Sequence, residues 1–299
     1  MRARGLRIVA LSIVLIASSC GRGTRVTAFE IDGHPSAVTT VGNHVYVADD
    51  TNHVIHVLDA QDGDAAEEPL EVSHNPIALA AGGGAVWVAH ADGRLAVIDA
   101  RTRRIRHVVD VGGSLTGVTF AFGRVWLTDL EHDDLVEVDP DELEVAGRIH
   151  VKRGAVRVAA GAGRSLWVTN REDTVTEVID GRVNAVREVG TGPIGLAYDG
   201  RTMWIANSDD GTVSMLRGSK GVPDGDVSVG RAPIGVAAFE TDAWSVDQDD
   251  GTLTPLVRRG APAIELGTHP RGAVAVEWFG RREIWVVGSN PDAVVRVQL

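Results

Sequence analysis

A short signature recurs seven times along this 299-residue chain, and no other feature restricts its fold so tightly. An aromatic residue between branched aliphatics, then Ala or Thr, reads VYVA around Tyr46, VWVA at Trp87, VWLT at Trp126, LWVT at Trp167 and MWIA at Trp204. Trp244 sits in a divergent AWSV and Trp285 in IWVV. Successive aromatics lie 41, 39, 41, 37, 40 and 41 residues apart. Six of the seven tryptophans take this position, and only Trp278 falls outside it. A period near 40 describes equivalent units, each too small to bury its apolar face alone.

Two further markers give each unit its internal order. Eleven residues ahead of the aromatic stand Pro35, Pro76, Leu115, Val156, Pro193 and Pro233; in the last unit Pro270 leads Trp285 by fifteen, which places a four-residue insertion around 278–282. Two residues past that marker the side chain is small at Ala37, Ala78, Gly117, Gly195, Gly235 and Gly272, with Val158 the exception. An aspartate closes the third apolar run at Asp59, Asp99, Asp139 and Asp180. Asp-Gly turns at 92–93, 210–211 and 250–251 punctuate the runs, and the 35 glycines suit many short strands joined tightly. The units therefore read as four strands each, an all-β chain forming a seven-bladed β-propeller with four antiparallel strands per blade. The small positions are expected where the innermost strands converge on the axis. The last unit ends one strand short, and residues 26–31 (VTAFEI) have no other partner. They are expected to close the last blade, leaving no open sheet edge in the ring.

These units resemble the YVTN/NHL class of seven-bladed bacterial propellers, whose blades read roughly Gly-x-x-Pro-x-x-(Val/Leu)-Ala, then Val-(Trp/Tyr)-Val-Ala-Asn, then Thr-Val-x-x-Ile-Asp. The best matches are 192–213 (GPIGLAYDGRTMWIANSDDGTV) and 75–88 (NPIALAAGGGAVWV), and the resemblance extends over 26–299. It implies the fold; the class holds lactonase-like, lyase-like and purely binding members. The virginiamycin-lyase-like propellers are a more distant likeness. Where their second strand often ends in Glu, this chain has Asp, Asn or His; where their catalytic blade shows His after the Pro marker, it has Ser36, Ile77, Ile194, Ile234 or Arg271.

The N-terminus carries an address. Arg2, Arg4 and Arg7 precede an uncharged stretch at 8–17, too short for a membrane span of roughly 20 residues. The chain's single cysteine, Cys20, follows Ser18 and Ser19, which resembles the lipobox of bacterial lipoproteins with Ala17 where Leu is usual. The expected organisation is a signal peptide at 1–19, a lipidated Cys20 with a tether to residue 25, and the propeller over 26–299. Anchoring at the outer face of the bacterial cell membrane, through the lipid only, follows from that resemblance. One thiol also excludes a disulfide framework or a Cys-rich metal site.

A formal charge of −12 argues against nucleic acid as a partner. Strand alternation puts the entry to each first strand and the loop between second and third strands on one face. The residues at the channel mouth are then His34, Asn75, Ser114, Ala155, Gly192, Ala232 and His269. The second-to-third-strand loops add many carboxylates to that face, among them Asp49, Asp129 and Asp247. His34, Asn75, Ser114, His269, Asp49, Asp129 and Asp247 are the candidate ligand- or partner-binding residues. His34 and His269, from blades adjacent across the closure, are the candidate ligands of a divalent ion; imidazole favours a transition metal over Ca²⁺. No nucleophile elbow, His-Glu-x-x-His, Walker loop or dinucleotide fingerprint is present. The expectation is a monomeric binding or scaffold module for a small molecule or an extracytoplasmic protein. A metal-assisted lyase or hydrolase at the channel mouth is the alternative.

Overall fold

A computed structural model describes residues 13–16, 24–258, 260–278 and 280–299. Its sheets are seven, arranged in a ring, and every strand pairing is antiparallel. Blades one to six run through 35–71, 76–110, 115–150, 155–188, 193–228 and 233–265, each a four-stranded meander from the axis outward. The outermost strands of blades one and six are reduced to Leu70–Glu71 and Ile264–Glu265.

Blade seven is composite, as the unpaired final unit requires. His269–Trp278, Arg281–Ser289 and Ala293–Gln298 supply three strands, and Arg25–Glu30 supplies the fourth with Val26 opposite Val297 and Glu30 opposite Ala293. The insertion lengthens the inner hairpin, with Glu277 opposite Arg282 and Trp278 opposite Arg281. Ile13–Ile16 adds a fifth strand along the outer edge, Ile13 opposite Ala28. Only this part of the apolar N-terminal stretch is described, and Cys20 lies outside the described residues.

The recurring aromatics explain why the ring holds. All seven are buried, none more than 7% exposed. Each packs on the following blade: Tyr46 on Val86 and Val88, Trp87 on Leu127 and Val136, Trp126 on Leu166 and Val168, Trp167 on Met203 and Ile205. Trp204 meets Ala243 and Leu256, Trp244 meets Ile284 and Val286, and Trp285 meets Val45 and Val47 of blade one. The core is thus seven inter-blade clusters, which is why the aromatic repeats with the blade and not with the strand. At the closure Phe29 stacks on Trp285 at 5.9 Å, and the Arg296 guanidinium lies over both rings.

Blade four corrects the sequence register by one residue. In blade three Leu115 faces Asp129 and Trp126 faces Thr119; in blade four Ala155 faces Asn170 and Trp167 faces Ala159. The hairpin across 160–166 holds one more residue than its counterparts, so the marker is Ala155, not Val156. The next position in register, opposite Thr169, is Arg157. An arginine therefore stands where the other blades have Ala or Gly.

Candidate functional site

The mouth face is organised by one repeated backbone bond. In blades one to six the residue after the second strand donates to the carbonyl preceding the first strand: Asp50 to His34, Ala91 to Asn75, Leu130 to Ser114, Arg171 to Gly154, Ser208 to Gly192 and Gln248 to Ala232, at 2.8–3.3 Å. The two loop families thus share a face, as strand alternation predicts. In blade four the mouth residue is Gly154 and not Ala155. Ala232 and Asn75 hold left-handed backbone (φ 49° and 55°), and Gly154 and Gly192 take the same turn with no Cβ to strain.

The second strands end in a ring of buried polar side chains: Asp49, His90, Asp129, Asn170, Asn207 and Asp247, each fully buried. Their donors come mostly from their own blades. Asp49 accepts from the N–H groups of Thr51 and Asn52, the Asn52 amide and the His56 ring. Burial pushes its carboxyl up, but these bonds together outweigh it and hold the pKa below the usual carboxylate range. Asp129 behaves alike: burial is outweighed by His132 and the Ser114 and Glu131 N–H groups, with Arg148 at 3.2 Å. In Asp247 burial wins and the pKa is raised, although Ser245, Thr252 and Thr254 all donate hydroxyls to it. His90 donates Nδ1–H to the His74 carbonyl at 3.0 Å; its Nε2 is buried without a partner, and burial holds its pKa below the ordinary imidazole value.

The other sequence candidates are more open. Asn75 is exposed, its N–H donating to His53 Nδ1 at 3.2 Å. Ser114 donates its N–H to Asp129. His34 and His269 turn to different partners. His34 Nδ1 is 2.8 Å from Asp50 Oδ1, and the Arg271 guanidinium lies against its ring while also pairing with Asp50 Oδ2 at 2.8 Å. His269, exposed, bonds the Gln248 carbonyl at 3.0 Å. A cation on His34 would stand beside the Arg271 charge, an unfavourable place for a metal. Among the described residues no group of three or more His, Cys, Asp or Glu is disposed to hold an ion.

On the rim, several exposed loop acids have local counter-charges: Asp92 with Arg94, Glu172 with Lys152, Asp250 with Arg231. Pairs of this kind are individually weak, but they mute the acidic ring. Inside the rim the sign reverses. The axial channel is a cavity of about 230 Å³ lined by the first strands of all seven blades, and its charged lining residues are Arg157 and Arg271. Sequence counting misses Arg157 because it assumes a constant marker-to-tryptophan distance. Aligning Gly154 with Gly192, each ahead of a first strand, would have exposed the shift.

No family model matches this sequence, and no curated protein matches it. Solved structures do. Virginiamycin B lyase from Staphylococcus aureus superposes with a TM-score of 0.79 at 15% identity, over 92% of this chain and 99% of that one. Hydrazine synthase from Kuenenia stuttgartiensis gives 0.78 at 14% identity, over 89% and 95%, and U3-55K gives 0.73 at 11%, over 92% and 98%. The likeness is one of fold. A catalytically inactive form of the lyase is known with quinupristin.

Proposed function

We propose that this chain is an exported propeller, tethered through Cys20 to the outer face of the bacterial membrane, that binds a ligand at its mouth face and does not transform one. What carries this reading is the state of the ring carboxylates. Asp49, Asp129 and Asp247 are buried and engaged by donors within the fold. A general base must reach the proton that it removes, and the bonds of these carboxylates run instead to donors of their own blades. The lipobox-like segment supports export, and the resemblance to YVTN/NHL-type repeats allows a purely binding member. The overlay with a lyase is compatible with either role, since a fold does not fix a function.

The test is direct. The purified protein, with and without added divalent ions, is incubated with quinupristin and a panel of lactones, and product is followed by mass spectrometry. The expected result is no turnover above a heat-denatured control; sustained turnover would overturn the binding reading in favour of a lyase or hydrolase. Localisation is tested separately: Cys20→Ser should move the folded protein from the membrane to the soluble fraction, and a variant still membrane-bound after salt washing would refute the lipid anchor.

A further inference from the structure

The channel holds a charge that no described residue balances. Arg271 is answered by Asp50 at 2.8 Å. Among the described residues Arg157 has no ion-pair partner, and the hydrogen bond of its guanidinium is a long one, Nη1 to the Val156 carbonyl at 3.5 Å. No carboxylate is among the residues lining the cavity. Arg157 is half-buried in the channel, and this burial pushes its pKa below the ordinary arginine value. Such a charge is costly unless something of opposite sign joins it. The register of blade four brings it here: one extra residue in the hairpin puts Arg157 at the position where the other blades carry Ala or Gly.

The rest of the cavity is apolar. Ile77, Leu79, Val118, Leu196, Ile234 and Val236 form much of its wall. The geometry points to a monoanion site in the axial channel, in which Arg157 receives the carboxylate of a small aliphatic acid whose chain lies along these walls. The inference rests on the reading of the chain as a binder and narrows that reading to a ligand class. A planar guanidinium matches a carboxylate with two parallel hydrogen bonds. One unbalanced cation calls for one negative charge; a dianion such as phosphate would leave an excess charge against aliphatic side chains. At about 30 Å³ per water-sized group, a cavity of 230 Å³ has room for roughly eight such groups, the size of a hexanoate.

Calorimetric titration of the full chain with acetate, butyrate, hexanoate and octanoate, and with phosphate and chloride, at constant ionic strength, tests this. The expected pattern is one site per chain, with affinity rising roughly fourfold per methylene, the worth of one buried CH₂, up to hexanoate and then levelling. Phosphate should bind at least tenfold more weakly than hexanoate. Arg157→Met, which keeps the length and removes the charge, should lose hexanoate affinity at least tenfold while melting no lower than the parent. Arg157→Lys should fall between them, and the chain-length series in the parent stands as evidence even if a variant fails to fold. Binding that survives Arg157→Met, or an affinity indifferent to chain length, overturns the site. Chloride competing as well as hexanoate reduces it to a seat for an inorganic ion and overturns the aliphatic assignment. No carboxylate binding at all removes this site while leaving a binder of some other ligand; turnover of quinupristin removes the binder reading itself.

Discussion

Two glycines one blade apart should answer the same substitution in opposite ways. Gly195 and Gly235 hold equivalent positions in the first strands of blades five and six. A Cβ on Gly195 would fall well inside 3.0 Å of the Gly235 Cα and the Ile234 carbonyl oxygen. Both are backbone atoms, so no side-chain rotation can make room and the strands must part. Inserting a methyl group into packed structure typically costs about 1–3 kcal/mol, and rigid close packing puts Gly195→Ala toward the upper end. A Cβ on Gly235 meets nothing within 4 Å, and its backbone is not left-handed. Gly235→Ala should therefore be neutral or stabilising by up to about 1 kcal/mol, because alanine restricts the unfolded chain. Urea unfolding followed by far-UV circular dichroism gives both midpoints at a common slope. Thermal melting should separate the two variants by roughly 3 °C or more, with Gly195→Ala the lower. If Gly195→Ala melts with the parent, or both variants fall together, the close approach of blades five and six at this ring position is wrong.

Three further outcomes follow from the same geometry. Trp87→Ala empties a fully buried ring that stacks on Phe120 at 6.4 Å, and should cost about 3–5 kcal/mol in urea unfolding; a loss under about 1 kcal/mol would contradict its place between blades two and three. Deleting residues 25–30 strips the partner from Ala293–Gln298 and exposes a pairing edge, so the variant should aggregate or melt far below the parent by scanning calorimetry; coincident melts would refute closure by this strand. His90 is held neutral by burial, so below the unfolded imidazole pKa of about 6.5 the unfolded chain takes up a proton that the folded one resists. Stability should fall as pH drops from about 6.5 toward the folded value, and His90→Asn should flatten that slope; parallel pH profiles would show that His90 does not titrate against burial.

The sequence resolves the architecture through features that repeat with the blade. Each aromatic must be large and apolar because it fills the gap to the next blade, so its spacing reports the blade itself. The closing strand is legible because 26–31 alternate and the last unit lacks a partner. What escapes is anything set by a local change of count. The hairpin at 160–166 holds one extra residue, which moves the marker to Ala155 and hides Arg157 behind Val158. The mouth carboxylates escape for another reason. Asp and Asn favour turns wherever they point, and the pattern cannot say that Asp247 faces inward to Thr252 and Thr254 while Asp249 stays exposed. The residue six or seven places on offers a clue in four blades: His56, Thr176, Ser214 and Thr254 each bond the ring residue before them. His34 and His269 are neighbours in the repeat, but Arg271 and Asp50 claim one and a backbone carbonyl the other, and such partners lie far away in the sequence.

The composite last blade has a consequence for biogenesis. Chains leave the ribosome N-terminus first, so Arg25–Glu30 is among the earliest strands of the propeller to emerge and Ala293–Gln298 is the last. Between those moments the early strand lacks its partner, and the socket made by Phe29 and Trp285 stays half built. A chain that stops after blade six but before residue 293 holds the first six blades yet never satisfies this junction. It remains open at one seam, with backbone donors and an aromatic face on display. Proteases act on the population of such open forms, so products that stop short of this strand are expected to be digested faster than the closed ring. Closure of the ring thus waits on the last strand made.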